Sequence, residues 1–407
     1  MLILGIESSC DDTSVALLEC SEQGHTILAH KTASQIDIHK KYGGVVPEVA
    51  GRLHAEAIVP LIEEVLDHPP ARIATQSVAG GPTPSLKGGG MRTKPDAIAV
   101  TSGPGLITGL IVGVEAARTL AAAWNIPLIA VNHIEGHIHS VELGQYPPVI
   151  LSEAKDLSDS KRLDSSATPQ NDNSKPITKF PALALVVSGG HTELVLMRDH
   201  GDYEILGKTR DDAAGECFDK VAKLLGLPYP GGPEISRLGE NAAADAIHFP
   251  RPMLKDKNYD FSFAGLKTSA LYYLRDHKLA AMHINPVQMP AGILGQMPEE
   301  PTINDFCASV EQAIVDVLVG KTMRAVAAYK PQTVLLVGGV AANQKLRETL
   351  RSEIARLLPT PYFLLPSLKH CMDNGAMIAA AGFWKARNQE FTPWQELKAN
   401  PNLAIAE

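Results

Sequence analysis

Leu2-Ile3-Leu4-Gly5-Ile6-Glu7-Ser8-Ser9-Cys10-Asp11-Asp12-Thr13-Ser14-Val15-Ala16-Leu17-Leu18 reads as an apolar strand, a turn of hydroxyls and acids, and a returning strand. The plan recurs at Ala182 to Val187, the turn Ser188-Gly189-Gly190-His191, and Glu193 to Met197. Two such hairpins, one in each half of the chain, predict an α/β protein with a duplicated lobe. Each turn offers backbone N–H and hydroxyl groups to a phosphate, directly or through a cation. Gly189 and Gly190 let the backbone approach an anion closely. A plain glycine hairpin is the alternative, and Asp11 and Asp12 serve equally as turn acids bonding their own backbone.

At 407 residues the chain exceeds a usual single core, which also favours two lobes. Hydrophobic content of 45% and charged content of 20% describe an ordinary globular protein. The net charge of −8 provides no global attraction for nucleic acid, so an RNA contact needs a local patch or a partner. Five scattered cysteines without a C-x-x-C, and an N-terminus lacking a basic leader, set the expectation of a reducing, cytoplasmic location. Leu106 to Ile126 is the most apolar long run, but Glu115 and Arg118 within it predict a buried helix rather than a membrane span.

The strand Leu128 to Val131 leads into His133-Ile134-Glu135-Gly136-His137. Histidines four apart lie one helical turn from each other, the spacing at which two imidazoles reach one metal ion. In H-E-x-x-H proteases the glutamate follows the first histidine. Here Glu135 stands two places on, about 200° round the helix, so it points away from such an ion. An isolated H-x-x-x-H is more often two unrelated histidines, and its neighbours must decide. Asp373 precedes the final helix, Ala376 to Arg387, where an Asp usually caps; as a third, anionic ligand it would leave open metal positions for substrate.

Pro47 to Asp67 has helical spacing, and Ala97 to Thr101 is a strand entering Ser102-Gly103-Pro104-Gly105. Thr333 to Val337 runs into Gly338-Gly339-Val340-Ala341-Ala342-Asn343, a strand–glycine–helix junction with Asn343 placed for a sugar or base edge; a plain βα turn competes. Asp260 to Lys267 reads as a cleft-lining segment and Asn304 to Tyr329 as a long helix. Ala71 to Lys94, Leu151 to Lys179 and His277 to Glu300 read as loosely ordered insertions. Lys321, Arg324, Lys330, Lys345, Arg347 and Arg351 form either a phosphate-contacting patch or, more simply, solvated helix faces.

Ten stretches together resemble the tRNA threonylcarbamoyladenosine transferases, formerly called O-sialoglycoprotein endopeptidases. They are Gly5 to Asp11, Tyr42 to Glu48, Ser102 to Leu106, His133 to His137, Val187 to Thr192, Asp211 to Lys220, Tyr229 to Pro233, Phe261 to Lys267, Gly338 to Asn343 and Asp373 to Met377. They occur in the family's order over nearly the whole chain outside the insertions. Asp12 stands where many members have Glu, and Met372 where Thr is common; neither change removes a metal or substrate residue.

The resemblance implies the two-lobed fold of actin, sugar kinases and Hsp70-type ATPases, with a cleft between duplicated lobes. Lobe I is expected at residues 1–132, lobe II at 133–372, and a C-terminal helix and tail returning to lobe I at 373–407. It further implies a divalent metal on His133, His137 and Asp373, with iron expected and zinc the alternative. Threonylcarbamoyl-AMP, or ATP/ADP, would lie against Val186, Val187, Ser188, Gly189, Gly190, Asp219, Gly232 and Asn343. The implied reaction moves the threonylcarbamoyl group to the exocyclic amine of the adenosine 3′ of the anticodon, in tRNAs reading codons that begin with A. Asp11 is the candidate base or orienting group. Implied partners are tRNA, a paralogous same-fold subunit, a small ATPase and a separate threonylcarbamoyl-AMP synthase. An ATP-dependent kinase or ATPase of the same fold is the competing function, followed by a metalloprotease and a non-enzymatic RNA scaffold.

Overall fold

The computed structural model describes residues 1–67, 93–143, 149–150, 178–277, 301–357 and 362–406. Apart from a few edge residues, the three expected insertions lie outside the described residues. In chain order, the first half contains β1 (Leu2–Glu7), β2 (Asp12–Ser21), β3 (Gly24–Ser34), α1 (Ile36–His39), α2 (Pro47–Asp67), β4 (Ala97–Gly103), α3 (Ile107–Trp124), β5 (Leu128–Asn132), α4 (His133–His139) and β6 (Val149–Ile150). The second contains β7 (Ala182–Val187), β8 (Thr192–Asp199), β9 (Asp202–Lys208), α5 (Ala214–Leu224), α6 (Gly231–Gly239), α7 (Ala264–Asp276), α8 (Ile303–Tyr329), β10 (Thr333–Val337), α9 (Gln344–Leu357), β11 (Tyr362–Leu364) and α10 (Gly375–Arg387).

The duplication is visible in the sheets. One has the order β3-β2-β1-β4-β5, and the other contains β9-β8-β7-β10-β11 with β6 added at its edge. In both, the first hairpin is antiparallel (β1 with β2, β7 with β8) and the next strand joins parallel (β4, β10). Residue alternation assigns the two faces. Ile3, Ala16, Leu18, Ala97 and Ala99 pack with α10, whereas Leu4, Ile6, Val15, Leu17, Ile98 and Val100 pack with α2 and α3. In the second sheet Leu183, Leu185, Val187, Val334 and Leu336 face the core formed with α5 to α9. Ala182, Ala184, Val186, Leu335 and Val337 face Ile134 and Ile138 of α4. Covering both faces of each sheet is what lets these strands be apolar almost throughout.

The chain also exchanges helices between its halves. α4 follows the first sheet but buries its apolar side on the second, and α10 follows the second but packs on the first. The two cross at Gly136, where a Cβ would lie 2.7 Å from Ile378 Cδ1. Residues on α4 and residues leading into α10 therefore meet between the sheets.

Several expectations need correction. Phe261 and Phe263 are not cleft lining: both are fully buried in the core of the second half, and transfer of such rings out of water far outweighs any lining role. α3 is not buried along its length; among the described residues it is the one helix long and apolar enough to cross a membrane, yet it lies along α2 with one face covered and Ile107 and Ile111 exposed. Three of the six residues of the basic patch are committed internally. Lys321 Nζ donates to Asp256 O and Asn258 O, Arg324 to Leu254 O, and Arg347 to Pro366 O. β3 was missed because, as an edge strand, it carries little of the apolar alternation that identifies β1 and β2.

Candidate metal centre between the lobes

Two caps set the geometry. Asn132 precedes α4 and its side chain accepts from Ile134 N at 2.8 Å, which starts the helix with His133 and puts His137 one turn later. At α10 the capping residue is Asn374, accepting from Met377 N at 2.9 Å. Asp373 is thereby relieved of the capping role that its position suggested. Its Oδ1 lies 3.5 Å from His133 Nε2 and 3.2 Å from His137 Nε2, and the two rings are 4.6 Å apart between centroids.

These separations match the edges of a coordination polyhedron: ligands about 2.1 Å from one ion lie about 3.0–3.4 Å from each other. The buried His137 Nδ1 and Nε2 have no hydrogen-bond partner, so at 3.2 Å Nε2 faces Asp373 without the alignment of a hydrogen bond. A buried idle nitrogen is costly, and a shared cation removes that cost. The residues fit a divalent ion of the kind that takes imidazole and carboxylate ligands.

The support behind these side chains is equally specific. His133 Nδ1 meets Glu7 Oε2 at 3.0 Å and Ser9 Oγ at 3.1 Å; Glu7 accepts from Thr101 Oγ1 at 2.7 Å and Ser9 N at 2.6 Å. A carboxylate behind a ligating imidazole fixes its orientation and raises its basicity. Burial opposes charge on His133, but Asp373 and Glu7 lift its pKa to about 9. Burial would raise Asp373, yet His133 and His137 hold it well below the usual carboxylate range. Both shifts express the attraction between imidazole and carboxylate groups held together in one buried cluster. Sequence reasoning gave Glu7 no role; a carboxylate at the end of an otherwise apolar strand was the available signal. We expect Glu7→Gln to weaken metal binding by about 10–100-fold with the fold retained, read by competition with a chelator.

Asp11 lies at the rim. Burial and then the nearby Asp373 raise its pKa, and Tyr229 Oη donates to its Oδ2 at 3.4 Å, linking the two halves. The Ser188-Gly189-Gly190 turn lies beside the centre: the ring of the adjoining His191 is 6.1 Å from that of His133. Added Cβ atoms at Gly189 and Gly190 would meet nothing within 4 Å, so both backbones are open to a ligand. The side chains of Val186 and Val187 point into the two cores, leaving only their backbones for the cleft. Gly338, at φ +92°, lies against Val187 O, which joins the β10 turn to the β7 turn.

Asp219 Oδ1 accepts from Gly231 N at 2.7 Å, at the start of the helix that carries Gly232. Asn343 is engaged: its Oδ1 caps α9 through Leu346 N, and its Nδ2 donates to Ser236 Oγ and Glu311 Oε1. A ligand reaching its amide must share it with these partners. Burial lifts Asp219 to about 6 despite the amides of Gly231 and Gly232. A carboxyl with a folded pKa above its unfolded value loses stability as pH rises from about 4 to about 6. Asp219→Asn should therefore gain stability at pH 7.5 relative to pH 4, on the order of 2 kcal/mol, measured by urea denaturation at both pH values.

Glu135 is turned to the far side of α4, where it accepts from Tyr203 Oη at 3.2 Å and faces Lys385 Nζ at 3.7 Å. The general base of a zincin-type protease is therefore missing from this centre.

Comparison with known proteins agrees with this architecture. A profile of the family described as tRNA N6-adenosine threonylcarbamoyltransferase matches residues 26–79, 87–154 and 165–380. Proteins of that name from Listeria monocytogenes, Enterococcus faecalis and Geobacillus thermodenitrificans are 42%, 41% and 40% identical. Each alignment covers 99% of this chain and 95–96% of the relative. Two HypF structures, one full-length with phosphate and nucleotide and one from T. kodakarensis, align at TM-score 0.51 and 12% identity. These alignments cover 97% of this chain but only 47% and 49% of theirs, and show a shared two-lobed fold alone. With the order of its motifs, the duplicated sheets and full-length relatives in agreement, the chain belongs to the tRNA N6-adenosine threonylcarbamoyltransferase family of tRNA-modifying transferases.

Proposed function

We propose that the chain transfers threonylcarbamoyl from threonylcarbamoyl-AMP to the exocyclic amine of the adenosine 3′ of the anticodon, with His133, His137 and Asp373 holding one divalent ion. The observation that carries the metal reading is the buried, unpartnered His137 Nε2 at 3.2 Å from Asp373. Iron is the ion we expect, with zinc the alternative. Such an ion supplies Lewis-acid polarisation of a carbonyl or phosphate oxygen.

The remaining roles belong to the chain. The open backbone of Gly189 and Gly190 donates hydrogen bonds to donor oxygens as charge develops, as an oxyanion hole does. Ser188, the backbones of Val186 and Val187, Asp219, Gly232 and Asn343 line the adenylate side. Asp11, with its raised pKa and its bond from Tyr229, takes a proton from the attacking amine or orients it.

We further propose lobe boundaries at 1–132 and 133–372, with 373–407 returning to lobe I; the packing of α10 on the first sheet supports this division. The exposed apolar residues Val59, Ile107 and Ile111 on α2 and α3 suit a same-fold partner subunit. A small ATPase and a separate synthase complete the expected set, in the cytoplasm where the tRNA substrate is modified. Nucleoside mass spectrometry tests the reading: tRNA from cells depleted of the protein should lose threonylcarbamoyladenosine and regain it with the wild-type chain. Unchanged modification in depleted cells would overturn it.

A further inference from the structure

On the far side of α4 from the metal centre lies a second convergence of imidazole and carboxylate. His139, Glu142 and His200 each offer one ligand atom, and these atoms lie within 4.8 Å of one another. His139 is at the end of α4, Glu142 in the 3-10 turn that follows, and His200 on the turn between β8 and β9.

Tyr203 Oη donates to Glu135 Oε1 at 3.2 Å, so its oxygen accepts from His139 Nε2 at 3.1 Å. His139 Nδ1 lies 2.9 Å from Glu142 Oε1, where a protonated ring donates from both nitrogens. The same separation is close to the cis edge, about 3.0 Å, of an octahedron with bonds of about 2.1 Å, so an ion can take the place of the Nδ1 proton. His200 supplies an idle group: its Nδ1 is buried without a hydrogen-bond partner while the ring stacks on Trp384 at 3.5 Å.

The surroundings also resemble the support of a metal site. Glu142 Oε2 accepts from His25 Nε2 at 2.9 Å and Trp384 Nε1 at 3.0 Å, leaving Oε1 for the shared position. Ligating carboxylates and imidazoles are held in this way, the Tyr203 hydroxyl serving His139. We propose that His139, Glu142 and His200 form a second site for a divalent transition-metal ion. Two imidazoles and a carboxylate suit zinc or its neighbours rather than calcium or magnesium. Opposite ligands span about 4.2 Å in an octahedron with bonds of about 2.1 Å. His200 thus needs to close by less than an ångström, and its place on a hairpin turn permits that movement. The ion would tie the β8–β9 hairpin to α4, and through Trp384 to α10.

The test is stoichiometry with Co²⁺, read by visible absorption on the chelator-stripped full-length chain. The wild type should take two equivalents, the double variant His133→Ala, His137→Ala one, and His200→Ala one. In His200→Ala the remaining ion should still be lost on adding Asp373→Ala. One equivalent in the wild type and none in the double variant would overturn the second site while leaving the first intact. Two equivalents in His200→Ala would equally overturn it. No binding to the wild type would overturn both sites.

Discussion

Asp373→Ala is expected to lower threonylcarbamoyl transfer by on the order of 10³-fold while the protein remains folded by circular dichroism. A bound divalent ion contributes several kcal/mol of transition-state charge stabilisation, and each 1.4 kcal/mol is about tenfold in rate. Asp373 is the anionic member of the set, 3.2 and 3.5 Å from the two Nε2 atoms. Without it two neutral rings remain, and their attraction for a cation falls sharply. Its removal leaves α10 capped, because the bond from Met377 N goes to Asn374. Loss of activity would therefore report the centre rather than the helix. The measurement is transfer of labelled threonylcarbamoyl to unmodified tRNA by the reconstituted enzyme, with metal content determined on the same samples. Activity within twofold of wild type, in a protein that no longer retains metal, would contradict the assignment.

Gly5→Ala should damage the first sheet severely despite adding one methyl group. A Cβ on Gly5 would lie 2.0 Å from Gly375 O and 2.7 Å from Ala379 N, both backbone atoms of α10. From the other side, a Cβ on Gly375 would be 2.7 Å from Gly5 O and 2.8 Å from Ala16 N. The helix end thus rests directly on the strand, and no rotamer change can make room. Overpacking costs about 1–3 kcal/mol where side chains can adjust, and backbone contact puts this variant at or above that upper end. The displaced helix start would also carry Asp373, two residues upstream, away from the α4 histidines. A fall in the denaturant midpoint accompanied by weaker metal binding is expected. A destabilised protein with unaltered metal affinity would separate the strand–helix contact from the centre.

The pairing of His133 with His137 was legible because helical spacing is a local property. The duplicated hairpins were legible for the same reason, since apolar alternation and small polar turns are written in consecutive residues. Asp373 was harder. A carboxylate before a helix reads first as a cap, and only the neighbouring Asn374, which fills that place, releases it. The exchange of α4 and α10 between the sheets was implied by the family resemblance but was not legible in the residue pattern, because both are apolar helices whose destination depends on three-dimensional packing. Phe261 and Phe263 misled because polar neighbours disguised two core rings. Asn343 sits where a ligand contact was expected, but its amide is occupied by Glu311 and by Ser236, residues distant in sequence. Glu7 gained its meaning only when β1 was brought against the start of α4.

Anomalous diffraction from crystals of the metal-loaded protein gives the most direct test of the central claim. A peak at this centre is predicted about 2.0–2.2 Å from His133 Nε2, His137 Nε2 and an Asp373 carboxylate oxygen, vanishing in Asp373→Ala crystals. Fully active protein whose crystals show no peak within reach of these three atoms would contradict the account.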